Sequence, residues 1–123
     1  MDYRDLIAYQ KAFKLAMRIF EISKNFPKEE IYSLTDQIRR SSRSVCSCIG
    51  DSYRKRRYPA HFISKLSDSD MENTETQVWL NFALACKYID ASTFSELDQE
   101  VVEIGKLLNY MMENPEKFGS KRI

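Results

Sequence analysis

The stretch from Leu34 to Arg57, LTDQIRRSSRSVCSCIGDSYRKRR, carries arginine at helical spacing. At about 100° per residue, Arg39, Arg40, Arg43, Arg54 and Arg57 fall together on one side of a helix. Leu34, Ile38, Ser41, Val45, Cys48, Ile49 and Ser52 fall within an arc of roughly a quarter turn on the other side. Guanidinium groups bind phosphate through paired, charge-assisted hydrogen bonds. Tyr53, Tyr58 and His61 lie close by, and aromatic rings stack on unpaired bases. The candidate nucleic-acid-binding residues are therefore Arg39, Arg40, Arg43, Arg54, Lys55, Arg57 and Tyr58. The same pattern also suits a solvated face, or ion pairs to the acids of a neighbouring subunit.

Catalytic arrangements are sparser. Glu72-x-x-Glu75 and Glu100-x-x-Glu103 resemble the paired-acid magnesium site of all-helical nucleotide pyrophosphatases, although the last acid of that site is normally Asp. Helical geometry puts Glu72 and Glu75 opposite the inner stripe of their helix, which makes them solvated acids and the pyrophosphatase reading a remote alternative. A di-iron bundle needs Glu-x-x-His twice, and the chain has one histidine, His61, with Tyr58 three residues before it. The three cysteines, Cys46, Cys48 and Cys86, have no further Cys or His to complete a zinc set and are read as reduced structural thiols. With no glycine-rich phosphate loop and no Ser/His/Asp set, the reading is a non-enzyme with no catalytic residues, no metal and no cofactor.

Charge and composition bound the class. The net charge of +1 is unevenly spread: Tyr53 to His61 holds four cations and no acid, whereas Asp68 to Glu75 holds four acids and no base. Three Gly, three Pro, 43% apolar and 30% charged residues describe a helical protein with few turns, and a length of 123 residues fits one domain. The N-terminus has no basic region followed by an apolar run, and no stretch reaches the roughly 18 apolar residues that span a bilayer. A cytoplasmic protein without a membrane partner is the expectation.

The elements follow from periodicity. A first helix over about residues 5–25 has apolar stripes at Leu6, Tyr9, Phe13, Met17 and Phe20 and at Ala12, Leu15, Ile19, Ile22 and Phe26, which predicts burial over a wide face. Pro27 ends it. Ser33 and Asp36 resemble a capping box for a second helix over 34–57. Pro59 opens a third helix, to about residue 89, whose inner stripe reads Phe62, Leu66, Asp70, Asn73, Gln77, Leu80 and Leu84. Asp70, Asn73 and Gln77 are expected to form a buried polar network with Arg40, Ser41 or Ser44. Val78 to Ile89 is apolar almost all round, so Trp79, Phe82 and Cys86 point away from that stripe and are the candidate oligomer interface. Thr93 and Glu96 offer a cap for a fourth helix over 94–113, and 114–123 reads as a flexible tail whose Phe118 can fold back onto the bundle. Short connections imply an all-α, antiparallel up-down-up-down four-helix bundle.

YQKA (Tyr9–Ala12), FPKEE (Phe26–Glu30), LTDQIRRSSRSV (Leu34–Val45), YRKRRYPAHF (Tyr53–Phe62) and ETQVWL (Glu75–Leu80) together resemble the four-helix-bundle family encoded in 23S rRNA intervening sequences. The resemblance implies a small bacterial bundle that assembles as a ring-shaped homopentamer. A related branch, the accessory proteins of diversity-generating retroelements, binds nucleic acid and a reverse transcriptase. Where the family has Asn-Ile-Ala-Glu-Gly, this chain has Cys48-Ile49-Gly50-Asp51-Ser52. Residues and resemblance together point to a self-assembling binding scaffold for RNA or DNA or for a nucleic-acid-processing protein, with a protein–protein adaptor as the alternative.

Overall fold

The computed structural model describes residues 1–123 and contains four long helices and no strand: α1 (Ile7–Ser23), α2 (Leu34–Arg54), α3 (Pro59–Ala85) and α4 (Ala91–Glu113). Short 3-10 turns at Tyr3–Asp5, Lys28–Glu30 and Pro115–Phe118 fill the connections and the C-terminus. The helices surround one core of 23 buried residues. No helix is long and apolar enough to cross a membrane.

Local chemistry sets the helix ends, and in three places differs from the expected caps. Ser33 precedes α2, but its side chain caps nothing. Glu30 does the work instead: its Oε1 accepts from the Leu34 N–H at 3.3 Å, and its Oε2 accepts from the Tyr88 hydroxyl at 2.9 Å. That second bond raises the Tyr88 hydroxyl to a pKa of about 12. At α4 the cap is Asp90, whose carboxylate accepts from Thr93 N at 2.7 Å, so the helix begins three residues before the predicted start. α3 ends at Ala85, before the predicted limit, because Lys87 turns left-handed (φ 63). The Tyr88 N–H then reaches the Ala83 carbonyl at 2.8 Å and the Lys87 N–H the Leu84 carbonyl at 2.9 Å, the two bonds of a Schellman stop.

α3 shows why the inner stripe was misassigned. Its buried residues are Phe62, Leu66, Ser69, Asn73, Thr76, Leu80 and Ala83. Steps of four and three alternate without a break, which is the 3.5-residue repeat of helices packed along their length. The predicted stripe drifted off this seam to Asp70, Gln77 and Leu84, which are half-buried. From Ser69 onward, small residues at every second inner position let α2 approach, and α2–α3 is the most extensive helix contact in the molecule. Ser41 Oγ and Thr76 Oγ1 lie 2.8 Å apart across it, and Ser69 Oγ donates to the Val45 carbonyl at 2.9 Å. On α2 the buried cysteine is Cys46, which faces α1, and not Cys48, which is half-exposed on the α3 side.

The polar residues expected to face α2 face α4. Asn73 Nδ2 donates to the Val101 carbonyl at 2.9 Å, and Gln77 Nε2 to Asp98 Oδ1 at 2.8 Å. Asp70 sits near Gly105 on the same seam. Arg40, Ser41 and Ser44 lie on a different helix pairing, and no hydrogen bond joins Asp70, Asn73 and Gln77 to them. On α1–α4, Lys11 pairs with Glu103 at 2.9 Å and Arg18 with Glu96. On α1–α2, Arg39 Nε donates to Ser23 Oγ at 2.8 Å, and the Tyr53 hydroxyl donates to the Met1 carbonyl at 3.2 Å. At each seam, residues that rise in number along one helix meet residues that fall along the next.

The C-terminal segment makes specific contacts with the helices. Phe118 packs edge-on against Tyr110 with ring centroids 6.1 Å apart. Ser120 is buried and its Oγ donates to the Arg56 carbonyl at 2.8 Å. Gly119 makes the turn possible with φ 86, where an added Cβ would come within 2.9 Å of Arg56 Nη1.

Lys87 and Gly119 give opposite expectations for stability. Lys87→Gly relieves a left-handed residue and is expected to stabilise by about 1 kcal/mol, whereas Gly119→Ala introduces one and is expected to cost about 1–2 kcal/mol. Urea denaturation of both variants checks the signs, and midpoints that move together rather than apart would refute the assignment.

Candidate nucleic-acid interface

The predicted arginine face is divided by the structure into three groups. Arg39 is half-buried and engaged, since its Nε donates to Ser23 and its guanidinium lies 4.8 Å from the Phe20 ring centroid. Arg40 is exposed and pairs with Asp36 one turn earlier at 3.5 Å, a surface contact of small energy. Arg43 is exposed, with its guanidinium 5.5 Å from the Phe20 centroid and no carboxylate partner. Thr35, Arg39, Arg40, Arg43, Ser44 and Ser47 line a polar cleft of about 500 Å³.

The last group lies at the far end of α2. Because the helix stops at Arg54, Lys55 and Arg57 belong to the turn into α3 and not to a continuous helical face. Arg54, Lys55 and Arg57 are all exposed, and none has a carboxylate partner. Tyr58 caps the next helix, is 53% exposed and meets His61 edge-on at 6.0 Å. Arg56, between them in sequence, turns inward: its guanidinium lies 3.6 Å from the Tyr53 ring centroid and its Nε donates to the Tyr53 carbonyl at 2.8 Å. Arg56 is a packing residue, whereas its neighbours present free charge.

Between these two cationic groups lies a groove that sequence reasoning missed. Tyr9, Phe13 and Met17 were expected on a buried stripe of α1, but Phe13 is 50% and Met17 45% exposed. With Tyr3 they form one wall of a groove of about 580 Å³, and Arg43, Ser47, Gly50 and Arg54 of α2 form the other. The core of α1 is its second stripe, with Ala8, Ala12, Leu15, Ala16, Ile19 and Ser23 buried. The sequence did contain the signal, because a helix with two apolar stripes has more apolar surface than one core contact covers.

The outer side of α3 holds the other exposed apolar group. Phe82 is 54% exposed and Trp79 is half-buried against the core, with the two rings 5.9 Å apart. Trp79 Nε1 is buried without a hydrogen-bond partner. Cys86 is exposed but lies just past the end of α3, so it adjoins this face rather than continuing it.

The acids do not converge. Glu100 and Glu103 face α1, where they meet Arg18 at 3.5 Å and Lys11 at 2.9 Å. Glu72 lies beside Glu75 on α3, and burial first, then the charge of Glu75, raises its pKa. No group of three or more His, Cys, Asp or Glu side chains is placed to hold a metal ion.

Four helices about one core, with a cationic edge along the second helix, define a small all-helical protein whose exposed chemistry is charge and aromatic surface. The chain belongs to the 23S rRNA-intervening sequence protein family, whose model matches residues 4–110. Among solved structures it is similar to a protein of unknown function from the S23 ribosomal protein family of Bacteroides thetaiotaomicron. The two share 27% identity over 89% of this chain and 98% of that one, with a TM-score of 0.79. No curated protein matches the chain.

The thiols offer a direct check of the helix assignments. Burial pushes Cys46 up to about 11, and Cys86 is exposed. An alkylating reagent at neutral pH is expected to label Cys86 in the folded protein and Cys46 only after denaturation. Rapid native labelling of Cys46, read by peptide mass, would refute its place in the core.

Proposed function

We propose that this protein is a non-enzymatic, self-assembling scaffold that contacts RNA, or a nucleic-acid-processing protein, through the cationic edge of α2. The observation that carries this reading is that Arg43 and Arg54 on α2, and Lys55 and Arg57 in the turn that follows it, are exposed and unpaired, although the chain has nearly as many acids as bases. Unneutralised cations in a row release bound counterions when phosphates replace them, which gives affinity without sequence preference. The opposing chain order at the helix seams supports an antiparallel up-down-up-down bundle, and the proposed setting of this single domain is the cytoplasm.

Self-assembly is proposed to use the Phe82 side of α3 and to give a homopentamer. Repetition around a ring would multiply modest cationic patches at high effective concentration. A protein–protein adaptor is the second reading, favoured by the exposed Phe82 and Val78 on α3.

Two measurements test the proposal. Arg54→Glu combined with Arg57→Glu is expected to weaken binding to unrelated RNA sequences alike, by about tenfold or more at low salt, and to flatten the dependence of log affinity on log salt by roughly two. Unchanged affinity would overturn the nucleic-acid reading. Light scattering should show an oligomeric wild type and a folded, monomeric variant carrying Trp79→Lys and Phe82→Glu, and a monomeric wild type would overturn self-assembly.

A further inference from the structure

The groove between α1 and α2 adds a function to the cationic edge. We infer that it is a base-stacking site, so that the protein takes unpaired nucleic-acid strand in preference to duplex. This inference rests on the proposed nucleic-acid contact and names the form of nucleic acid that α2 receives.

Several observations converge on that occupant. The groove of about 580 Å³ and the polar cleft of about 500 Å³ share Arg43 and Ser47, so the aromatic wall and the arginine row form one track. Phe13 is half exposed in that track, and Tyr9 backs its ring in a stacked arrangement at 6.0 Å. A ring held on one side and open on the other is a platform for a flat group. Arg43 and Arg54 lie on the opposite wall, both without carboxylate partners, and so match a ligand that carries negative charge on either side of its flat groups. Asp51, the acid that also lines the groove, faces Lys65 at 3.8 Å.

Gly50 keeps the floor low. A Cβ there would meet only the Tyr3 ring, at 3.9 Å, which is ordinary contact, so packing does not demand glycine at this helical position. The absence of a side chain leaves the space between the aromatic and arginine walls open. A duplex has its bases covered by their partners and could offer only phosphates to this track, whereas an unpaired strand can place phosphates on the arginines and a base on Phe13.

The test compares a single-stranded oligoribonucleotide with the duplex formed from it and its complement, each titrated with the full-length protein at one salt concentration. A fluorescent purine analogue in the single strand reports stacking directly. Phe13→Ala is expected to lower single-strand affinity about tenfold, to abolish the stacking signal and to leave duplex affinity unchanged. Phe13→Trp should restore single-strand binding. Gly50→Met fills the groove from the other side and should lower single-strand affinity while circular dichroism shows a folded protein. If Phe13→Ala affects single strand and duplex equally, or neither, the stacking site is overturned. The Arg54→Glu, Arg57→Glu variant separates the two levels, since continued weakening by it would retain the phosphate contact while the groove assignment falls. A Phe13→Ala protein that changes from oligomer to monomer with RNA affinity intact would make the groove a subunit contact and also overturn the inference.

Discussion

The close approach of α2 and α3 is the constraint on which the remaining arrangement depends. It is made by small side chains, Ser41 and Ser52 on α2 and Ser69, Thr76 and Ala83 on α3, set between the larger Ile38, Val45, Ile49, Phe62, Leu66 and Leu80. A seam of this kind works by shape, because a small residue allows the neighbouring backbone near and a large one fills the hollow that follows. Hydroxyl groups within it are satisfied locally: Ser52 donates to the Ile49 carbonyl at 2.6 Å, and Thr76 Oγ1 to the Glu72 carbonyl at 3.0 Å as it meets Ser41. The polar atoms thus enter the core with little loss of hydrogen bonding.

Fixing that seam fixes what α2 has left to offer. With one side of the helix committed to α3 and a second to α1, its remaining edge carries Arg40, Arg43 and Arg54, and the turn beyond it carries Lys55 and Arg57. The edge is cationic because the acids nearby are spoken for or placed elsewhere. Glu100 and Glu103 neutralise α1 cations, and Asp68, Glu72 and Glu75 lie on α3. A nearly neutral chain therefore presents a polarised surface.

α1 is held differently, and the manner of its packing has consequences. Its buried face is rich in alanine, with Ala8, Ala12 and Ala16 packed inward, so the helix sits close while its larger side chains Phe13 and Met17 remain at the edge. Tyr3, in the turn before α1, stacks edge-on to Tyr9 at 4.9 Å and extends the aromatic wall past the helix end. The same end of the bundle also holds the C-terminal segment, where Ser120 and Arg56 tie the tail to the α2–α3 turn. The α1–α2 seam is thus open and aromatic on one side, while the neighbouring tail is bound down by hydrogen bonds and rings.

Periodicity and proline placement made the four helices, their approximate limits and the arginine-bearing side of α2 legible in the sequence, because each depends on local geometry that a short window contains. The motifs from Tyr9 to Leu80 likewise made the family legible. Which α3 residues lie inward was not legible: Asp70 and Asn73, or Ser69 and Asn73, fit a helical stripe almost equally well, and only the 3.5-residue register against α2 selects Ser69, Thr76 and Ala83. The distinction between Arg39, held by Ser23 and Phe20, Arg56, held on Tyr53, and the free Arg54 and Arg57 was also invisible, since each partner lies on another turn or another element. The exposure of Phe13 belongs to the same class, because an apolar stripe states what a helix can bury and only its neighbours decide what it does bury.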